Sequence, residues 1–205
     1  MGLREVKKER TRRAIEDAAI ALFAERGYQA TTVADIARAA DIAPRTFFAY
    51  YRSKEDVLFG DADQMFDELE AHLHERPSGE STFDGLRRWI DEVMTDELHA
   101  HDERERVVRD LVAANESLQA RERRLMGRFE DLLATAVATD LGDEPSTLRP
   151  RMVAAAAVAA LWCMRDGDDG RPADHDQALD QLDEALAFLR AGTAALRDVA
   201  NSVRA

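Results

Sequence analysis

The sequence predicts an all-α fold, with a small N-terminal helical unit joined to a larger helical body. Three observations predict it. Ala, Leu, Glu, Asp and Arg dominate, while 205 residues hold only 10 Gly and 5 Pro, a composition that favours helices over sheets. Apolar residues recur at spacings of three and four in segment after segment, and no segment shows the alternation of a half-buried strand. The charge also changes sign along the chain. Residues 1–54 carry 11 Lys+Arg against 7 Asp+Glu, a balance of +4, whereas the whole chain stands at −13 and the remainder therefore at −17.

The elements follow in order. Residues 1–10 form a basic flexible arm, with Arg4, Lys7, Lys8 and Arg10. It is either an arm that reaches a minor groove or a solvated tail. Residues 11–26 read as a helix with Ile15, Ala19, Leu22 and Phe23 on one stripe, ended by Gly27. Thr32 caps a second helix, with Asp35 three residues on to complete a capping box, and Val33, Ile36, Ala37 and Ala40 form its apolar face. A tight break at residues 41–43 follows. Pro44 then sits at a first helical position, opening a third helix of about two turns that runs to Tyr51. Ser53 caps a fourth. Together these make a unit over residues 11–58, and the short helix, turn and short helix within it have helix-turn-helix spacing.

The body, residues 59–205, continues in helices broken at Pro77-Ser78-Gly79, His99 to Asp102, Asn115 to Ser117, Gly142 to Pro145 and Gly167 to Gly170. Its last two long helices cover residues 148–165 and about 174–198. The longest apolar run, Met152 to Met164, falls short of the roughly 20 residues that span a bilayer. The N-terminus has no apolar core of a signal peptide. Cys163 is alone, which excludes an internal disulfide and fits a reducing cytoplasm, with a buried helical position as its expected setting.

The third helix carries the chemistry. Phe47 and Tyr51, four apart, face the first two helices, and this leaves Arg45, Thr46, Phe48, Ala49 and Tyr50 on the other side. A helix in a major groove uses such a set. Arginine forks to guanine O6 and N7, Thr46 and Phe48 meet a thymine methyl, and Tyr50 donates to a phosphate. Lys54 opens the next helix, where an ammonium and free N–H groups favour phosphate. The competing reading is a helical hairpin with these aromatics in its own core. An acidic body beside a basic head implies that the head meets double-stranded DNA and the body does not.

Gly27-Tyr28, Thr31-Thr32-Val33, Asp35-Ile36-Ala37, Ala40, Thr46-Phe47, Tyr50-Tyr51 and Ser53-Lys54-Glu55 together resemble the DNA-binding domain of tetracycline-repressor-like (TetR family) regulators over about residues 10–58. The resemblance implies a three-helix domain whose third helix reads DNA, with Thr32, Thr46, Tyr50 and Lys54 near backbone or bases. It also implies a homodimer formed by the final two helices, and a body that binds a small effector. Three positions depart from the pattern: Asp41 where a turn glycine is usual, Phe48 where a tyrosine is usual, and Arg45 where a glycine is usual. Asp tolerates the left-handed conformation such a turn needs. Arg45 is thereby the preferred specificity residue.

For the dimer seam, the small residues Ala154 to Ala160 allow close helix approach, and Ala155, Val158, Leu161, Leu182, Leu186 and Leu189 are the candidates. The alternative is that they fill the subunit core. The body resembles weakly the members with an acyl-CoA-like ligand-binding domain. Pocket candidates are Phe66, Trp89, Met94, Met126, Phe129 and Trp162, with Met164 beside them, for a small hydrophobic or amphipathic effector; plain core is their other reading. Arg87, Arg88, Arg121, Arg123, Arg124 and Arg128 either hold an anion or line solvated faces. The His72/His74 and His99/His101 pairs lack the spacing that joins two imidazoles on one helix, so no metal is expected. No cofactor, nucleophile elbow, phosphate loop or dinucleotide fingerprint is present, so no enzyme is expected. A body controlled by a protein partner, or a helical interaction module without DNA binding, are the competing readings.

Overall fold

In a computed structural model that describes residues 2–60, 62–94, 102–166 and 175–204, the chain is helical throughout its regular structure. The helices are α1 (Leu3–Arg26), α2 (Val33–Ala39), α3 (Pro44–Phe47), α4 (Lys54–Phe59), α5 (Ala62–His74), α6 (Thr82–Met94), α7 (Asp102–Ala113), α8 (Glu116–Leu141), α9 (Leu148–Asp166) and α10 (His175–Arg204). The expected breaks at residues 99–101 and 167–170 lie outside the described residues. The chain divides into two compact units, Met1–Ala62 with His101–Arg123, and Asp63–Ala100 with Arg124–Ala205.

The first unit differs from the expected 11–58 at both ends. Residues 3–10, expected as a flexible arm, are the opening turns of α1. Lys, Glu and Arg are good helix formers, and Arg13 reaches back to Glu9 at 2.9 Å, an i,i+4 pair that supports the helix. The unit also gathers α7 and the start of α8. Ile15, Ala19 and Phe23 of α1 are buried in one cluster with Ile36, Phe47, Tyr51, Val57, Val112 and Leu118. Helix α1 with the three short helices α2–α4 buries little apolar area, and Val112 and Leu118 extend the core from a distant part of the sequence.

Local chemistry follows the sequence closely here. Gly27 terminates α1 at φ +82° and donates its N–H to the Phe23 carbonyl. Thr31, buried behind it, donates to the carbonyls of Leu22 and Gly27 at 3.3 and 2.9 Å. Thr32 and Asp35 form the capping box of α2. Asp41 takes φ +54°, the left-handed turn residue between α2 and α3, and Pro44 occupies the first turn of α3.

In the second unit Phe83, Leu69, Leu73, Leu133 and Val137 are fully buried. Arg76, nearly buried, ion-pairs with Asp140 and donates to the carbonyls of Leu73, Glu80 and Ala136. Asp140 also accepts from the Thr82 backbone N–H and hydroxyl, both at 2.7 Å. Leaving either charge unpartnered there costs several kcal/mol, on the order of 3–5 for a broken buried pair. The knot therefore fixes the α5–α6 turn against α8. Helix α10 packs along α9 and α6.

Candidate functional site

Two sites emerge, one in each unit. The first is the surface of α3. Phe47 is fully buried and Tyr51 nearly so, whereas Phe48 is 59 % exposed, with Arg45 and Ala49 also exposed and Thr46 and Tyr50 half-buried. Phe47 and Tyr51 turn inward and Phe48 outward as the spacing predicted. The helix, however, ends at Phe47 rather than Tyr51, residues 48–50 continue it as a turn, and Tyr50 packs partly against the core. Arg45 makes no ion pair among the described residues, so its guanidinium is available to an external acceptor.

What anchors α3 was only partly visible beforehand. The Tyr51 hydroxyl donates to Glu16 on α1, and the Arg12 guanidinium lies 5.6 Å from the centre of the Tyr51 ring. The Tyr28 hydroxyl donates to Glu55 on α4. Burial, and then these carboxylate acceptors, push both phenols well above the ordinary tyrosine range. Two tyrosine–glutamate contacts thus fasten the loop after α3, and α4, to the α1 scaffold. The partners stand 35 and 27 residues apart, a separation at which sequence carries no pairing signal.

Lys54 has an internal duty that the sequence reading did not foresee, and Thr32 is engaged in the capping box that it did. The Lys54 ammonium donates to the carbonyls of Tyr28 and Thr31 at 2.6 and 2.9 Å and lies 4.1 Å from the centre of the Tyr28 ring. Burial pushes its proton affinity down. Two of three donors are spent inside the protein, leaving one for a phosphate. The Thr32 hydroxyl accepts from the Asp35 N–H and donates to the Asp35 carboxylate, so its proton is already engaged. Arg52, exposed just before the Ser53 cap and unpaired among the described residues, is a cation that the motif reading passed over. Its signal was available: an arginine in the turn ahead of a capping serine.

The second site is a cavity of about 270 Å³ in the second unit. Phe66, Trp89, Met126 and Phe129 line it as expected, and so does Met164. Trp162 is not on its wall, and the side chain of Met94 lies outside those described. The dimer candidates divide unexpectedly. Leu161, Leu182, Leu186 and Leu189 face the cavity, and Val158, Leu186 and Leu189 are buried within the subunit. Only Ala155 of the six is exposed without facing the cavity. The reason is helical phase. The leucines of α10 occupy its inner face, while Phe188, Ala191, Ala195 and Val199 lie on the outer one, Phe188 being 71 % exposed. On α9 the outer stripe is Leu148, Met152, Ala155 and Ala159. Cys163 is exposed rather than buried.

The arginines considered for an anion are largely committed. Arg87 pairs with Asp91 and Asp183, Arg88 with Glu80, Arg121 with Asp56, and Arg128 with Asp63 and Asp67. Among the described residues no cluster of ligating side chains fit for a metal ion occurs, and no helix is long and apolar enough to cross a membrane.

Residues 15–60 match the family model described as bacterial regulatory proteins, tetR family, and residues 82–194 match the MftR C-terminal domain. The regulator TcmR of Streptomyces glaucescens is 31 % identical over 183 residues, covering 82 % of this chain and 80 % of that protein. The transcriptional regulator MftR of Mycobacterium tuberculosis is 34 % identical over 143 residues, covering 68 % and 70 %. Among solved structures, the fold is shared with NalD of Pseudomonas aeruginosa (TM-score 0.58, 23 % identity, 90 % of this chain and 97 % of that one). It is shared also with the SmeT–triclosan complex (TM-score 0.56, 22 % identity, 87 % and 90 %). With its own third helix facing outward and family models matching both of its ends, the chain belongs to the TetR family of DNA-binding transcription regulators.

Proposed function

We propose that this regulator is a cytoplasmic repressor that binds a palindromic operator as a homodimer and releases it when a small hydrophobic or amphipathic effector fills the cavity. The observation that carries the proposal is the outward surface of α3 and the turn after it, where Arg45, Phe48 and Ala49 stand exposed over the inward-facing Phe47 and Tyr51. Arg45 is the base reader, Thr46 and Phe48 supply contacts to thymine methyls, and Tyr50 and Arg52 serve the phosphates. Lys54 and Thr32 act mainly by holding the frame.

So short a helix reads only a few base pairs, and a two-fold dimer doubles the site. The uncovered stripes of α9 and α10 support the dimer, and the apolar cavity supports the effector. Repression follows from occupancy, since a dimer seated on a promoter excludes the polymerase. The test is a mobility-shift titration on DNA upstream of the protein's own gene, at several salt concentrations. Saturable binding that weakens steeply with salt is expected. Absence of binding at low salt to every fragment would overturn the proposal.

A further inference from the structure

The walls of the cavity narrow what can occupy it, and the inference rests on the effector reading just given. Among the described residues every lining side chain is a hydrocarbon, a thioether or an aromatic ring, and no polar atom is exposed on the wall. Phe66 and Phe129 stack with centroids 5.8 Å apart. Trp89 adds a third aromatic, and Met65, Met126 and Met164 add polarisable sulfur, which adapts to ring edges. Arg128 lies 5.7 Å from the centre of the Phe66 ring, but its charge is already met by Asp63 and Asp67. An anion held against these walls would lose part of its hydration and meet no cation on the wall among the described residues. Size adds a second limit. An apolar cavity of about 150 Å³ takes up benzene, and this one measures about 270 Å³.

We infer that the cavity binds an uncharged aromatic molecule of about two rings, held by stacking and burial. An ionised acid or a charged amphiphile is disfavoured by the same walls.

The test uses the full-length protein and naphthalene as the probe, with 2-naphthoate and decanoate as charged counterparts, followed by titration calorimetry at neutral pH. Naphthalene should bind once per chain and at least tenfold more tightly than either anion. Ala160→Leu and Ala185→Leu put larger side chains into the cavity from α9 and α10, and each should weaken naphthalene at least tenfold. Melting curves run alongside identify whichever of the two folds, and that one is read. Met126→Lys should reverse the preference towards 2-naphthoate. The inference is overturned if either anion binds as tightly as naphthalene, or if naphthalene binding survives undiminished in the folded leucine variants. DNA retention measured in the same samples separates ligand class from release. Naphthalene bound without loss of DNA affinity overturns effector release and leaves the ligand class standing. Decanoate releasing DNA where naphthalene does not overturns the ligand class and leaves release standing.

Discussion

Arg45 and Lys54 are both cations near the reading face, yet their surroundings give them different work. Arg45 is exposed and unpaired among the described residues, so its fork is free for a base edge. Arg45→Ala should cost ~1–3 kcal/mol at one operator position and relax base preference there, as read by binding to a panel of single-base operator variants. A preference unchanged at every position would refute the assignment. Lys54 instead satisfies two backbone carbonyls and covers the Tyr28 ring. Lys54→Ala should therefore lower unfolding free energy by about 1–3 kcal/mol in urea titrations, since charged hydrogen bonds to buried acceptors are lost. A variant as stable as the wild type, but with a flatter salt dependence of DNA binding, would return Lys54 to the phosphates. The two tyrosines add a pH signature. Each is raised above the ordinary value near 10 in the folded chain, so each binds its proton more tightly when folded. Their stabilisation is full below about pH 10 and is lost as pH climbs beyond it. Melting temperature should fall in that range, and Tyr28→Phe or Tyr51→Phe should blunt the fall.

At the scale of the element, the turn between α2 and α3 sets the angle at which α3, the proposed reading helix, is presented. Asp41 holds φ +54°, where a Cβ-bearing residue is strained and a β-branched one more so. Asp41→Val should destabilise the first unit by roughly 1–2 kcal/mol, while Asp41→Gly should be neutral or stabilising, as measured by thermal melts of both variants. Equal melts would show that the turn carries no strain. How much of this was legible depended on range. The cap at Thr32, the stop at Gly27, the left-handed Asp41 and the inward pair Phe47 and Tyr51 are all local and could be read directly. The opening turns of α1 were misread because basic residues look alike in a tail and on a helix. The recruitment of Val112 and Leu118, and the Tyr28–Glu55 and Tyr51–Glu16 contacts, depend on packing between remote segments that no spacing encodes. In the body, residue type nominated Phe66, Trp89, Met126 and Phe129 as pocket candidates with plain core as the other reading, and the four line the cavity. Residue type did not fix the rotation of α10, whose leucines turned inward.

At the scale of the whole molecule, that rotation changes which residues can form the proposed dimer surface. The apolar residues left uncovered on α9 and α10 include Met152 and Phe188, 49 % and 71 % exposed, with alanines between them that permit close approach. If this face joins two copies, Phe188→Glu should convert dimer to monomer in analytical ultracentrifugation and sharply weaken binding to a full two-fold site. Weak half-site binding at low salt should remain. A dimer that persists unchanged would move the interface elsewhere. Leu186 and Phe188 are two residues apart yet point to opposite sides of one helix, one into the cavity and one outward. The consequence is genetic. Screens for altered regulation should recover codons of α10 only two apart with opposite phenotypes: changes at Leu186 that leave a promoter shut in the presence of inducer, and changes at Phe188 that leave it open in the absence of any. A map of alleles along this helix would alternate with the period of the helix itself.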